Sequence, residues 1–291
     1  MAVWYGILPI AGGFYSRHKW KQFRERFINL RLVPLLDYRQ YRQMENESGV
    51  FRFTGEIESL TGHMLWVKGK DLTIPVSIEK TQCWLLPVHE GDGIPEAPEK
   101  ILWNRVSTLT EGVKVFIGGY VTMQDNRLVF ISTKEKPLMV IFYNCPDTDL
   151  TDSIIRAART RNEYWNRLTP VSLVIGALSL IFIAATFLDR PAFRLTVITT
   201  LVAVFIPILP IIPPGLLFTI LYRRMTWHSR NLRAYWDLAR FGLLPGSSKN
   251  LARRYAIQAY TLEIFAWALM LLGIFLNIVF IFLTLYLLGR I

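Results

Sequence analysis

Three long apolar stretches dominate the second half of the sequence. They run over residues 171–187, 195–222 and 262–288. A helix rises 1.5 Å per residue and the hydrocarbon core of a bilayer is about 30 Å thick. The first stretch is therefore at the short end of the spanning range, and the third must tilt or extend into the headgroups. Together with a charged juxtamembrane helix at 150–167, these stretches predict a helical transmembrane region over residues 147–291.

The second apolar stretch contains a cluster of prolines that predicts a break in its helix. Each proline removes a backbone donor and obstructs the preceding turn. The break is predicted at Pro207, Pro210, Pro213 and Pro214. We favour a kinked anchor or a shallow hairpin, because residues 195–222 contain no charged side chain; a discontinuous helix that lines a substrate or ion site is the alternative. Whether this stretch crosses the bilayer or re-enters on the same side stays open.

Between residues 49 and 146 the pattern changes to the alternation that is typical of β-strands. We predict six strands, at 50–57, 63–67, 72–78, 113–121, 127–131 and 138–142. Tight turns are expected at Lys70-Asp71 and Asp125-Asn126, and a loop at 89–100. Short strands with a Gly118-Gly119 bend favour a small OB-like antiparallel β-barrel, with a β-sandwich as the alternative. The predicted fold class is therefore an α+β membrane protein, with a β-barrel domain and a helical transmembrane region.

The first 48 residues combine an apolar foot with an amphipathic segment. Residues 3–15 are apolar and basic residues follow them, which is the reverse of a secretory signal. This order suits a short insertion or a re-entrant foot. Further along, Trp20, Phe23, Phe27 and Leu30 recur at three- and four-residue steps among basic residues. We predict a helix in the headgroup plane, with Trp20, Phe23 and Phe27 at the membrane interface; the alternative is a helix packed on the β domain.

The uneven charge distribution predicts the orientation of the chain. The net charge is +11, yet residues 35–150 carry 12 Lys/Arg against 16 Asp/Glu, so nucleic acid is not an expected partner of the barrel. Residues 223–258 carry eight Lys/Arg against one Asp, which predicts that this segment and the β domain face the cytoplasm, at a bacterial inner membrane. The membrane-interface residues of this segment, which can hold anionic lipid headgroups, are predicted to be Arg223, Arg224, Trp227, Arg230, Arg233, Trp236 and Arg240.

Candidate reactive residues are few and scattered, so no catalytic, metal or cofactor site is predicted. Cys83 and Cys145 are expected to be two buried thiols, with a disulfide as the alternative. No paired ligand spacing occurs among the histidines, which are His18, His63, His89 and His228. Three carboxylates have a spacing that suits a divalent cation but are expected to open the helix that follows: Asp147, Asp149 and Asp152.

Small and polar residues in the apolar stretches predict helix packing. Ser172, Gly176 and Ser179 form a stripe in the first stretch that suits a close helix contact. In the third stretch, Asn277 is the one amide side chain, and it is expected to form an interhelical hydrogen bond. Neither feature identifies a substrate.

Part of the sequence resembles a known family. The runs Thr110 to Val121 and Asn126 to Ile131, followed by a charged helix and a hydrophobic span, resemble the C-terminal part of membrane-anchored GIDE-type domains. They are similar, more loosely, to the OB-like barrel of NfeD-type membrane proteins. The resemblance covers about residues 50–187 and implies a membrane-tethered β domain with an interaction role. The RING finger that supplies ligase activity in eukaryotic GIDE proteins needs a Cys/His array that this chain lacks.

These observations favour a membrane-anchored scaffold or regulatory protein that presents a cytoplasmic β domain. Its composition, 52% hydrophobic and 19% charged residues, is too apolar for an ordinary soluble domain. The expected partners are the lipid bilayer and a membrane protein or a second copy of the chain. A transport subunit that uses the proline break is an alternative function, and a membrane-lipid enzyme is a further one.

Overall fold

The chain was analysed as a computed structural model. The residues that the structure describes are 2–43, 48–79, 81–87, 96–109, 112–124, 127–133, 135–160, 166, 168–205, 207, 213 and 215–288. They divide into two compact units. Trp20–Arg161 form the barrel unit, and Met1–Lys19 with Asn162–Ile291 form the helical unit.

The described residues of the barrel unit form eight strands. All six predicted strands are present, and two short ones, β4 and β5, were not predicted. Because β5 includes Glu99 and Lys100, the loop prediction is wrong at these two positions, while His89 and its neighbours up to residue 95 lie outside the described residues. The strands are β1 (Gly49–Thr61), β2 (Met64–Lys68), β3 (Thr73–Ser77), β4 (Gln82–Leu85), β5 (Glu99–Ile101), β6 (Lys114–Gln124), β7 (Arg127–Ile131) and β8 (Met139–Tyr143).

Five of these strands close into a barrel in the order β1-β2-β3-β7-β6, with β6 pairing back onto β1. Within the barrel the pair β3–β7 is parallel, through Val76 and Phe130. The pair β4–β8 is also parallel. The prediction of a wholly antiparallel barrel is therefore wrong. Parallel neighbours require a long crossover, and the chain between β3 and β7 provides one that includes β4, β5 and β6.

Strand β1 closes the barrel by pairing with a different neighbour along each half. Residues 49–56 pair with β6, and residues 56–61 pair with β2. At the changeover, a Cβ atom on Gly55 would lie 2.4 Å from the backbone oxygen of Lys68, so only glycine allows this approach. At the predicted bend, Gly118-Gly119, β6 also changes partner, from β8 to β7, and the missing side chains make room for Leu30 and Leu138.

Aliphatic and aromatic side chains fill the barrel. Ile74, Val76, Ile117 and Phe130 are fully buried and belong to one hydrophobic cluster. The predicted turn at Lys70-Asp71 is present, with the Gly69 N–H donating to the Leu72 carbonyl at 2.8 Å. The other predicted turn, Asp125-Asn126, lies outside the described residues.

The amphipathic helix near the N-terminus packs on the sheet. Helix α1 (Leu8–Leu32) buries the aromatic side chains that we expected at the membrane interface. Trp20 and Phe23 contact Trp84 at ring-centroid distances of 5.8 and 4.6 Å, and Phe27 contacts Phe116 at 5.2 Å. The membrane-interface prediction is therefore wrong for Trp20, Phe23 and Phe27, because an apolar helix face is stabilised equally by a sheet or by lipid and here the sheet covers it.

The remaining helices are divided between the two units. The barrel unit also contains α2 (Tyr38–Gln43) and α3 (Leu150–Thr160). The helical unit contains a π-helical turn (Ala2–Ile7), then α4 (Leu168–Phe187), α5 (Arg194–Val204), α6 (Gly215–Arg240) and α7 (Lys249–Leu288). Among the described residues, α4 and α7 are long and apolar enough to cross a membrane. Helix α6 continues to Arg240, well beyond Tyr222, where the apolar stretch ends.

Candidate membrane-interaction surface

Helices α4 and α7 expose a large apolar surface. In the most apolar 18-residue window of each helix, only 28% of the α4 residues and 17% of the α7 residues are buried inside the chain. The exposed side chains are large: Phe182 is 73% exposed, Phe275 is 60% exposed and Phe282 is 65% exposed. Contiguous apolar patches of this kind mark surfaces that another apolar phase covers, either a protein or lipid.

One face of α4 is buried by the N-terminal residues and by α5. Ser172, Gly176, Leu180 and Ala184 recur every four residues and are all buried. A Cβ atom on Gly176 would lie 2.7 Å from Tyr5 Cε1 and 2.9 Å from Trp4 Cβ, so glycine permits this contact. Ser172 and Gly176 thus lie on a packed face, as predicted. Ser179 lies outside this stripe, and its hydroxyl donates to the Ile175 carbonyl of its own helix at 2.8 Å.

Helices α6 and α7 form an antiparallel hairpin whose seam is made of small residues. In α7 the buried positions Ala252, Ala259, Ala266 and Gly273 are spaced by seven residues, the repeat of a helical seam. The Ser229 hydroxyl of α6 donates to the Ala259 carbonyl at 2.8 Å. This seam was not predicted, although the seven-residue repeat of Ala and Gly is visible in the sequence.

The hairpin turns sharply after α6. Gly242 has a φ of +70°, a left-handed conformation that favours glycine. Its N–H donates to the Ala239 carbonyl at 3.2 Å, and the Leu243 N–H donates to the Leu238 carbonyl at 2.9 Å. These two bonds form a Schellman motif, which ends the helix and satisfies its last carbonyls.

The interruption between α5 and α6 falls where the prolines predict it. Helix α5 ends at Val204 and α6 begins at Gly215. Asn277 of α7 is 1% exposed, and its Oδ1 accepts the Gly215 N–H at 3.4 Å, which is the interhelical bond that we expected. Of the four prolines, Pro207 and Pro213 are among the described residues, whereas Pro210 and Pro214 are not.

Aromatic and basic residues meet where the apolar part of the hairpin ends. Tyr222 of α6 and Trp267 of α7 form an edge-on pair at 5.7 Å, and Arg223 and Arg224, both exposed, follow at once. Tyr, Trp and Arg are enriched at the boundary between hydrocarbon and water. The stretch from Trp267 to the end of α7 is about 32 Å long and α4 is about 30 Å long, so both match the thickness of a hydrocarbon core.

The remaining predicted interface residues extend along α6 beyond this boundary. Arg230, Trp227 and Trp236 are half-buried. Arg233 forms an ion pair with Glu263 of α7, with both side chains partly buried. The guanidinium of Arg240 lies over the rings of Trp236, at 5.7 Å, and Phe241, at 5.6 Å.

The three carboxylates near the end of the barrel have separate partners, and Asp149 accepts a hydrogen bond from the Thr148 hydroxyl at 3.0 Å. Asp147 accepts hydrogen bonds from Lys114 Nζ at 3.2 Å and from the Tyr143 hydroxyl at 3.3 Å. Burial, and then the charge of Asp147, raise the pKa of Tyr143. Asp152 lies in the first turn of α3, as the helix-opening interpretation predicts, and pairs with Arg156 at 2.8 Å. Among the described residues, no three His, Cys, Asp or Glu side chains are grouped to hold a metal ion.

The two cysteines are separate thiols, as we expected. Cys83 is fully buried in the barrel core, and burial raises its pKa to about 12. Cys145 is half-buried, and burial raises its pKa as well. Both thiols are therefore protonated at neutral pH, and Cys83 is shielded from reagents as long as the barrel is folded.

No protein-family model, curated protein or solved structure matches this chain. The resemblance to GIDE-type and NfeD-type domains therefore remains a prediction.

Proposed function

We propose that this protein is an integral membrane scaffold or regulatory protein that presents its barrel unit on the cytoplasmic side of the bilayer. The observation that carries the proposal is the exposed apolar surface of α4 and α7, since fewer than a third of the residues in their apolar windows are buried by the chain. In water this surface would be strongly unfavourable, at about 25 cal/mol for each Å² of apolar area. A bilayer covers it without any further protein.

The charges support the proposed orientation. In the hairpin, α6 from Arg223 onward and the start of α7 carry the eight basic residues, and connections rich in Lys and Arg are retained in the cytoplasm. In this proposal α4 and the broken α5–α6 segment make two passes, so that the barrel unit lies on the same side of the bilayer as this hairpin. A bacterial inner membrane is the setting that we propose.

The barrel supports the proposed interaction role. Its strand order, in which β1 pairs with both β2 and β6, is OB-like. OB-like barrels serve as binding modules through their outer face and loops. The acidic balance of residues 35–150 favours a protein partner over nucleic acid. We propose that the partner is another membrane protein or a second copy of this chain.

A transport role is the second candidate, and one contact favours it. The buried Asn277 amide lies beside the first turn of α6 at the proline break, and discontinuous helices of this kind form substrate sites in transporters. The Asn277 oxygen is, however, already bonded to Gly215. The described part of α5 and the first eight residues of α6 carry no charged side chain except Arg194. The scaffold role is therefore the better supported.

Extraction and labelling test the proposed placement. Full-length protein is expected to stay in the membrane pellet after alkaline carbonate treatment. In a Cys145→Ser background, a cysteine at Ser247 is expected to react with a membrane-impermeant maleimide only after cells are permeabilised, because the hairpin turn is cytoplasmic. The matched control is Asp189→Cys, in the turn after α4, which is expected to react in intact cells. Release into the supernatant, or labelling of the two positions in the reverse order, would contradict the proposal.

A further inference from the structure

The polar part of the hairpin is a pair of packed helices, which we call the stem. The stem comprises residues 223–240 of α6, residues 249–266 of α7 and the turn between them. The Ser229–Ala259 hydrogen bond and the stacked rings of Tyr235 and Tyr255, at 5.6 Å, join its two helices. Since α7 is continuous from Lys249 to Leu288, the stem cannot fold over independently of the apolar part of α7.

The tip of the stem lies far from the boundary marked by Tyr222 and Trp267. Arg240 follows Tyr222 by 18 residues, and Lys249 precedes Trp267 by 18 residues, so each is about 27 Å from the boundary along its helix. Headgroups occupy about 6 Å of each leaflet and the Debye length is about 8 Å. Even with a tilt of about 40°, the tip remains about 20 Å away. Lipid headgroups therefore do not explain the charges at the tip.

The tip is strongly basic. Residues 240–254 contain four Lys or Arg residues and no Asp or Glu. Arg240, Lys249, Arg253 and Arg254 are all exposed. These clustered positive charges attract a negatively charged ligand.

An apolar stripe continues from these charges along the exposed face of α7. Ile257 is 55% exposed, Tyr260 is 63% exposed and Ile264 is 53% exposed. With Arg253 they follow steps of four, three and four residues, so they share one face of the helix. Ala252, Ala259 and Ala266 occupy a different face, which is packed on α6. The exposed face is thus basic at its outer end and apolar toward the membrane.

We propose that this face of the stem binds an acidic amphipathic helix of a protein partner. The inference rests on the proposed function, because it requires the apolar part of α7 to be in the bilayer. A helix with apolar residues at three- and four-residue steps would pack on Ile257 and Tyr260, which lie beyond the headgroups, and its carboxylates would pair with Arg253, Arg254 and the tip. A nucleic acid would use the charges but would leave Ile257 uncovered, so the combined pattern fits a protein helix better.

The test uses full-length protein in nanodiscs of neutral phosphatidylcholine. The probe is a fluorescent 21-residue peptide with Leu at three- and four-residue steps and Glu at most other positions; the control probe has the same composition in scrambled order. Anisotropy is expected to show micromolar binding of the patterned peptide. Binding is expected to weaken at least about tenfold in R253E/R254E, and several-fold in Ile257→Ser. The charge-matched control K100E/R127E, in the barrel unit, is expected to remain within about twofold of the original protein.

Several outcomes would overturn the inference. One is that R253E/R254E binds the patterned peptide as tightly as the original protein does. Others are that the scrambled peptide binds as tightly as the patterned one, or that a 20-nucleotide single-stranded DNA binds more tightly than the patterned peptide. Loss of peptide binding when the discs contain anionic phosphatidylglycerol would show that the stem lies on the lipid, and would overturn it as well. Failure of the protein to co-elute with the discs would instead count against the proposed function. Co-elution without peptide binding would count against the stem inference alone.

Discussion

Replacing Gly55 with alanine is expected to destabilise the barrel unit by about 2 to 3 kcal/mol, because the new methyl group has no room. Its carbon would lie 2.4 Å from the Lys68 backbone oxygen and 2.8 Å from the Lys68 carbonyl carbon. Backbone atoms cannot rotate away as a side chain can, so β1 would have to separate from β2 at the point where the barrel closes. For a unit of about 140 residues this corresponds to a fall of roughly 7 to 10 °C in the unfolding temperature.

The buried thiol of Cys83 provides the readout for Gly55→Ala. In a Cys145→Ser background, full-length protein in mild detergent is heated with a maleimide, and the temperature at which Cys83 becomes reactive is recorded. The matched control is Gly49→Ala in the same strand, where the new methyl group would meet only the ring of Phe51, at 2.6 Å, which can turn aside. Equal melting temperatures for the two variants would show that β1 and β2 do not approach as described.

The second large effect is expected from two arginines placed in the exposed face of α7. Residues 268–288 contain fifteen Leu, Ile, Phe or Val residues, which favour insertion by about 5 to 9 kcal/mol in total. Each arginine near the middle of a span costs about 2.5 to 3.5 kcal/mol. The double variant Phe275→Arg/Val279→Arg therefore brings the insertion free energy of this segment close to zero. Membrane-bound protein, measured by carbonate extraction and blotting, is expected to fall at least several-fold.

A control separates this effect from a general effect of charge. Gln258 and Thr261 are exposed on α7 in the stem, outside the apolar part. Gln258→Arg/Thr261→Arg adds the same charge to the same helix and is expected to leave the membrane-bound amount unchanged. In a soluble protein, arginines at the exposed positions 275 and 279 would be tolerated, so an undiminished membrane level in the first variant would argue against insertion of α7.

The sequence predicted best those elements whose buried side chains all contact a single core. The strict alternation in β1, β2, β3, β6 and β7 predicted those strands, because each has one face in the barrel core. Strands β4 and β5 are four and three residues long, too short for alternation to be recognised. The parallel pairing of Val76 with Phe130 joins residues 54 positions apart, and local pattern contains no information about it.

Helix faces were harder to assign because lipid and protein stabilise the same pattern. Trp20, Phe23 and Phe27 have the spacing of an interfacial helix, and only the position of Trp84 and Phe116 shows that the sheet covers them. In α6, the change to polar residues after Tyr222 marks the end of the apolar stretch, but the pattern did not show that the same helix continues into the stem. Small residues were more informative: Gly176 was predicted as a packing position, and the repeat of Ala259 and Ala266 could have been.

The most direct test of membrane insertion measures whether water or lipid surrounds each part of α7. Nitroxide labels are placed one at a time at the exposed positions Arg253, Gln258, Leu271, Phe275 and Phe282 of full-length protein in liposomes, in a background without Cys83 and Cys145. Collision rates with oxygen, which concentrates in lipid, and with a water-soluble nickel complex are compared by electron paramagnetic resonance. If the apolar part of α7 lies in the bilayer, nickel accessibility is expected to be high at positions 253 and 258. Oxygen accessibility is expected to be high at positions 271, 275 and 282, with a changeover near Trp267. Nickel accessibility at Phe275 equal to that at Arg253 would contradict membrane insertion of α7.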